Sequence, residues 1–129
     1  MSQVKVSEAT GAVLDWMVAK CVYTGADSER VFLYHTGFDF AKHTVRVANQ
    51  DTCTRDRSFE WEPSIDWEQG GPIIEQEKIN IFNSGSLWFA DMQDERDCDE
   101  QGVTPLIAAM RRYVASKLGD TVEVPGELA

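Results

Sequence analysis

The sequence predicts an α+β fold: one domain over residues 1–129, with a small antiparallel sheet packed against two main helices, N-terminal and C-terminal, plus a short helix. Three observations carry that expectation. Apolar residues recur at helical spacing near both ends of the chain. Between the ends they fall in short runs of β-branched and aromatic residues. The connections joining those runs are too short to hold crossover helices, which favours antiparallel pairing. A chain of 129 residues can bury roughly two-thirds of its extended surface in one core, and no internal repeat or Pro/Ser-rich linker divides it.

Taken in order, VKVS at Val4–Ser7 reads as a short strand, after which Ser7 or Thr10 can cap a helix reaching about Cys21. Val13, Trp16, Met17 and Lys20 lie at helical spacing, as do Leu14, Met17 and Cys21, so that helix buries a broad face. VFLYH at Val31–His35 and TVRVA at Thr44–Ala48 read as strands, and the polar stretch Asn49–Arg57 as an exposed loop. In SIDWEQGGPIIEQEK, Ser64–Lys78, Asp66 and Gln69 have capping-box spacing. Asp66–Gln69 is therefore expected to form a single helical turn closed by Gly70. Gly71 and Pro72 then open a second short helix, with Glu75 near its positive end and Lys78 at its negative one.

INIF and LWFA flank NSGS, a hairpin signal, and DMQDERDCDE at Asp91–Glu100 follows as an exposed acidic loop. The last element is the most regular. Thr104 is its N-cap, Pro105 its first residue and Gly119 its stop, with Leu106, Ile107, Met110, Val114 and Leu118 spaced three and four apart. Arg111, Arg112 and Lys117 fall in its C-terminal half, where the helix dipole favours cations.

With 43% hydrophobic and 26% charged residues, the composition is that of a globular protein. No apolar run approaches the roughly 20 residues of a membrane span, and MSQVKVSEATG has no apolar signal core. Cys21, Cys53 and Cys98 are widely spaced, contain no Cys-x-x-Cys pair and read as reduced thiols; these features together predict a cytoplasmic protein. The net charge of −10 is localised: between Asp51 and Glu100 there are fourteen acids against four bases, and outside that window the two signs balance at eight each. Such a surface repels phosphate backbones, so no direct nucleic-acid partner is expected.

The sequence shows no nucleophile, base and orienting acid in a recognisable arrangement. His35 and His43 stand alone, so no enzyme activity, cofactor or metal is expected. Asp91–Glu100 lacks the alternation of oxygen ligands around a glycine that calcium loops require. Two binding regions remain. Asp66, Trp67, Gln69, Gly70 and Gly71 form a glycine-cushioned helix start that can hold an anion while Trp67 stacks on a planar ring, as for a small nucleotide-like ligand. The Lys and Ser/Thr of a phosphate loop are missing, however, and a tight corner pinned by a buried Trp67 explains the same residues. The second region is the acidic stretch: Asp91, Asp94, Glu95, Asp97, Asp99 and Glu100, with Trp61 as an exposed aromatic, can engage a basic host protein, against the plainer reading of a solvated loop. Trp16 and Trp88 read as core.

VSEATGAVLDWMVAKC, SIDWEQGGPIIEQEKI and GVTPLIAAMRRYVASKLGDTVEVPGEL, in that order, resemble the NinX-like family of small phage and prophage proteins. The three blocks cover about half of the chain and leave Val22–Pro63 unmatched. The resemblance brings no established activity and hence no catalytic residues. It implies a phage-borne accessory protein acting in a bacterial cytoplasm, and the main functional expectation is a non-catalytic modulator that binds a host protein. The family pattern has small residues after the Asp-Trp pair and a glycine before the strand isoleucine, where this chain has Glu68 and Lys78.

Overall fold

A computed structural model describes residues 2–22, 36–39, 44–47, 59–92 and 95–124. The elements are β1 (Ser2–Lys5), a 3-10 turn (Val6–Glu8), α1 (Gly11–Val22), β2 (Thr36–Asp39), β3 (Thr44–Val47), β4 (Phe59–Trp61), α2 (Trp67–Glu77), β5 (Ile79–Ser84), β6 (Leu87–Met92), β7 (Glu95–Gly102), α3 (Pro105–Leu118) and β8 (Thr121–Val124). The α+β class and the antiparallel pairing hold. Among the described residues the strands form three small sheets, β1–β8, β2–β3–β4 and β5–β6–β7, with every pairing antiparallel. The expected strand at Val31–His35 and loop at Asn49–Arg57, together with both histidines, lie outside the described residues.

Helix α3 is the central support. It covers one face of β5–β6–β7 and touches α1, α2 and β8, while α1 reaches β3, β4 and β8 on its other sides. This position explains why α1 is apolar nearly all round: Ala12, Leu14, Trp16, Met17, Val18, Ala19 and Cys21 are all buried. They join Ile107, Ala108, Ala109, Met110 and Val114 of α3, with Ile73, Ile79, Ala90, Val122 and Val124, in one core cluster. β1 and β8 bring the two ends of the described chain together, Val4 opposite Val122, and Val6 N–H donates to the Asp120 carbonyl at 2.8 Å. Neither β8 nor β2 stands out by sequence pattern, because four-residue strands show too little of a period to register.

The hairpin forms where NSGS marks it, but its turn is two residues rather than four: Asn83 and Ser84 belong to β5, Ser84 lies opposite Leu87, and Gly85 at φ 67° is the first turn residue, a position that favours glycine. Phe82 and Phe89 pair across the hairpin and stack with ring centroids 5.5 Å apart.

The central segment differs from expectation. Residues Trp67–Glu77 form one continuous helix with Gly70, Gly71 and Pro72 inside it, rather than a turn followed by a second helix. Pro72 removes one N–H from the ladder, but the carbonyl it leaves belongs to Glu68 on an exposed first turn, where the loss is small. The helix closes at Lys78, which adopts φ 55° and ψ 48°, the left-handed conformation that favours glycine. Lys78→Gly should therefore raise the unfolding free energy by about 0.5–1 kcal/mol, and unchanged thermal stability would rule this out.

The acidic stretch is also not a loop. Asp91 and Met92 end β6, and Glu95–Gly102 is β7, held by pairs that include Phe89 with Gln101 and Ala90 with Glu100, and with a register shift between Ala90 and Met92. Local composition argues against a strand here, and the ladder to β6 overrides it. The arginines of α3 depart from the dipole argument as well. Arg112 is 1% exposed, and Arg111 donates from Nε to the Ala9 carbonyl (2.9 Å) and from a terminal nitrogen to the Gln101 carbonyl (2.6 Å), tying α3 to both neighbouring segments. Lys117 lies in the last turn as expected and pairs with Glu77 of α2 at 3.3 Å.

Cys21 is buried, and burial pushes its thiol up to about 12, partly offset by Lys117 and Lys20. A maleimide at neutral pH should leave Cys21 unmodified in the folded chain and label it on denaturation. Rapid native labelling at this position, read by peptide mass, would contradict its burial.

Candidate docking groove

The chain leaves β4 at Trp61 and turns sharply, with Ile65 N–H and Asp66 N–H both donating to the Glu62 carbonyl (3.0 and 2.8 Å). Pro63 and Ser64 go inward and are fully buried. Ser64 N–H donates to Asp15 Oδ1 at 2.9 Å, a buried link between α1 and a corner 49 residues away. Burial raises the Asp15 carboxyl to about 7, with hydrogen bonding from Ser64 pulling it down and the charge of Glu62 adding to the rise.

Gln69 holds the same corner from the other side. Its Nε2 donates to the Glu60 carbonyl at 2.7 Å, and its Oε1 accepts from Glu62 N–H at 2.5 Å. It does not complete a capping box. The cap is Asp66 alone, accepting from Glu68 N–H at 2.9 Å. Gly70 lies where α2 crosses closest: a β-carbon there would stand 2.5 Å from the Pro63 carbonyl oxygen and 2.6 Å from Leu106 Cδ2.

With Pro63, Ser64, Gln69 and Gly70 committed inward, the remaining side chains of the corner face out. Ile65 is 67% exposed and Trp67 55%, so the indole does not pin the corner from inside. Asp15, Gln69 and the Asp66 cap do that work, which leaves the ring free to face solvent. Ser64, Ile65 and Trp67 form one wall of an open groove of about 180 Å³, and Thr104, Pro105 and Leu106 at the start of α3 form the other. Thr104 Oγ1 is engaged as the helix cap, accepting from Ile107 N–H at 3.2 Å. Next to it, Val103 is 69% exposed.

Of the five residues predicted as a ligand site, Trp67 alone lines this groove. Asp66 is a cap, Gln69 and Gly70 hold the corner, and Gly71 faces open space. The residues predicted as a partner surface are spread out. Trp61 is half-buried against the core rather than exposed. Asp91 accepts from Asn80 Nδ2 at 2.8 Å across the hairpin. Asp94 lies outside the described residues, Glu95 and Asp97 are in β7, and Asp99 is exposed. Glu100 is half-buried beside a polar cleft with Lys5, Ser7, Asp120 and Thr121; burial raises its carboxyl, and Arg111 and Arg112 hold it back.

Sequence reading passed over Ile65, the α3 wall and Asp15. A signal for the last was present: a lone carboxylate inside the apolar run AVLDWMVA needs a buried partner. Among the described residues no group of three or more His, Cys, Asp or Glu side chains could hold a metal ion. No described helix is long and apolar enough to cross a membrane.

Fold and groove together define a small, acidic α+β protein whose open apolar surface lies at a corner between two helices. Residues 5–117 match the family described as Bacteriophage P22, NinX, and the chain belongs to that family. The match runs through residues 22–63 and 80–101, both of which the three sequence blocks leave uncovered. No curated protein matches the chain.

Proposed function

We propose that this phage-family chain is a non-catalytic accessory protein that modulates a host process in the bacterial cytoplasm by binding a basic host protein through its acidic part. The observation that carries this reading is the placement of charge. The whole net charge of −10 falls between Asp51 and Glu100. In the fold that stretch includes α2 and β5–β7, on which Glu68, Glu75 and Asp99 are exposed. Concentrated charge of one sign speeds encounter with an oppositely charged partner and makes binding sensitive to salt.

The test is capture from host lysate at rising ionic strength, with the wild-type chain beside a Glu68→Lys/Glu75→Lys/Asp99→Lys variant. All three side chains are exposed, and the variant's far-ultraviolet circular dichroism should match that of the wild-type chain. A basic protein retained at about 0.05 M salt and released by about 0.5 M, and lost with the variant, is the expected result. Identical captures by both chains at all salt levels would remove the proposal.

A small planar ligand stacked on Trp67 is the second reading, favoured by the exposed indole beside the groove. A ligand-free native mass, with no thermal shift across a nucleotide panel, would eliminate it.

A further inference from the structure

The geometry points to the groove between Ser64–Trp67 and Thr104–Leu106 as the seat of one large apolar side chain, presented by a lysine- or arginine-bearing segment of a partner protein. This rests on the reading above that the partner is basic, and it names the point of contact.

The lining is apolar in effect. Ile65, Trp67 and Pro105 supply the surface over a nearly buried Leu106, while Ser64 N–H and Thr104 Oγ1 are already engaged with Asp15 and Ile107. A volume of about 180 Å³ suits one side chain of leucine or phenylalanine size rather than a folded element. Ile65, Trp67 and the adjacent Val103 are three of the five large apolar side chains that stand exposed among the described residues. Concentration of such residues at one place marks an interaction site more than scattered exposure does.

The wall is also held in place before anything binds. Asp15, Gln69 and the Asp66 cap fix residues 62–68 from three directions. Little ordering cost would therefore fall on binding.

Charge selects the occupant. Residues 59–78 carry six acids against Lys78 alone, with Asp66 and Glu68 flanking Trp67, and the opposite wall from Thr104 to Met110 carries no charge. A phosphate-bearing ligand or a second copy of this chain would bring negative charge to negative charge. A cationic segment gains attraction on the α2 side while its apolar residue fills the groove.

The test uses the full chain labelled with ¹⁵N, the indole N–H signal of Trp67 being assigned by its loss in Trp67→Phe. Three synthetic peptides are titrated: a lysine-rich one with a central leucine, the same with alanine, and the leucine peptide with every lysine replaced by glutamate. The leucine–lysine peptide should shift the Trp67 indole and Ile65 amide saturably, at least about tenfold more tightly than the other two. Ile65→Ser, at an exposed position, should weaken it without altering the fold. Equal binding of the leucine and alanine peptides, with Trp67 unmoved, overturns the groove assignment and leaves the acidic-surface reading standing. Equal binding of the glutamate peptide overturns the cationic occupant. Broadening of the Trp67 signal with protein concentration alone makes a second copy the occupant and overturns the proposal. If no lysine peptide binds, both readings fall.

Discussion

Gly70→Ala should destabilise the fold by about 1–3 kcal/mol, whereas Gly71→Ala, one residue further along the same helix, should be neutral or stabilising by up to about 1 kcal/mol. Neither glycine has a positive φ, so backbone conformation does not separate them. Space does. A β-carbon at position 70 would lie 2.5 Å from the Pro63 carbonyl oxygen and 2.6 Å from Leu106 Cδ2, while at position 71 it would meet nothing within 4 Å. The Leu106 methyl can rotate aside. The Pro63 carbonyl cannot, because its corner is fixed through Ser64 to Asp15 and through Glu62 to Gln69. At position 71 alanine gains helix propensity at no steric cost. Urea midpoints at unchanged slope would measure both effects; similar shifts for the two variants would mean that α2 does not press on the corner as described.

The second large effect is a dependence of stability on pH set by Asp15. Its carboxyl rises from 3.8 to about 7 on folding, chiefly because burial disfavours the charged form. The sign follows from proton counting. Below about pH 4 the folded and unfolded chains both hold the proton, and the group costs nothing. Between there and about 7 the unfolded chain releases it while the folded chain keeps it, so this group's contribution falls as pH rises and then levels off. The full span is on the order of 4 kcal/mol as an upper bound, since relaxation around a buried charge reduces it. Asp15→Asn keeps an acceptor for Ser64 N–H without the charge. The variant should lie within about 1 kcal/mol of the parent near pH 4 and exceed it by roughly 2 kcal/mol or more near pH 8. A difference between the two chains that stays constant across that range would show that Asp15 does not titrate as a buried acid.

Legibility of the fold followed the range of the forces involved. α3 was readable because its cap, first-position proline, apolar spacing and stop all lie within sixteen residues, Thr104 to Gly119, and all agree. The hairpin turn was readable for the same reason. β7 was not: six acids between Asp91 and Glu100 look like a solvated loop, and only pairing with β6 makes a strand of them. In α2 the Gly-Gly-Pro signal points to a break between two short helices, whereas all three residues lie inside one continuous helix. Gly70 is there for a close crossing with Pro63 and Leu106 rather than to end a turn, and no local rule separates those two uses.

The candidate site was legible only in Trp67, since exposure depends on what the neighbours do. Gln69 was expected to cap its own helix, yet it bonds to Glu60 and Glu62 across the corner. Arg111 was placed by the helix dipole, yet it is spent on the carbonyls of Ala9 and Gln101.

The α+β class, the C-terminal helix, the hairpin, the confinement of the net negative charge to the middle of the chain and the resemblance to a phage family are all written in local sequence. Each of these is encoded by neighbours along the chain or by composition, and needs no knowledge of distant partners. Long-range packing sets the rest: the burial of α1 nearly all round, the pairing that makes the acidic stretch a strand, and the outward position of Ile65 and Trp67 across from Pro105. Those outcomes depend on contacts such as Asp15 with Ser64, between residues 49 positions apart. Such contacts become favourable only once folding has excluded water from between them.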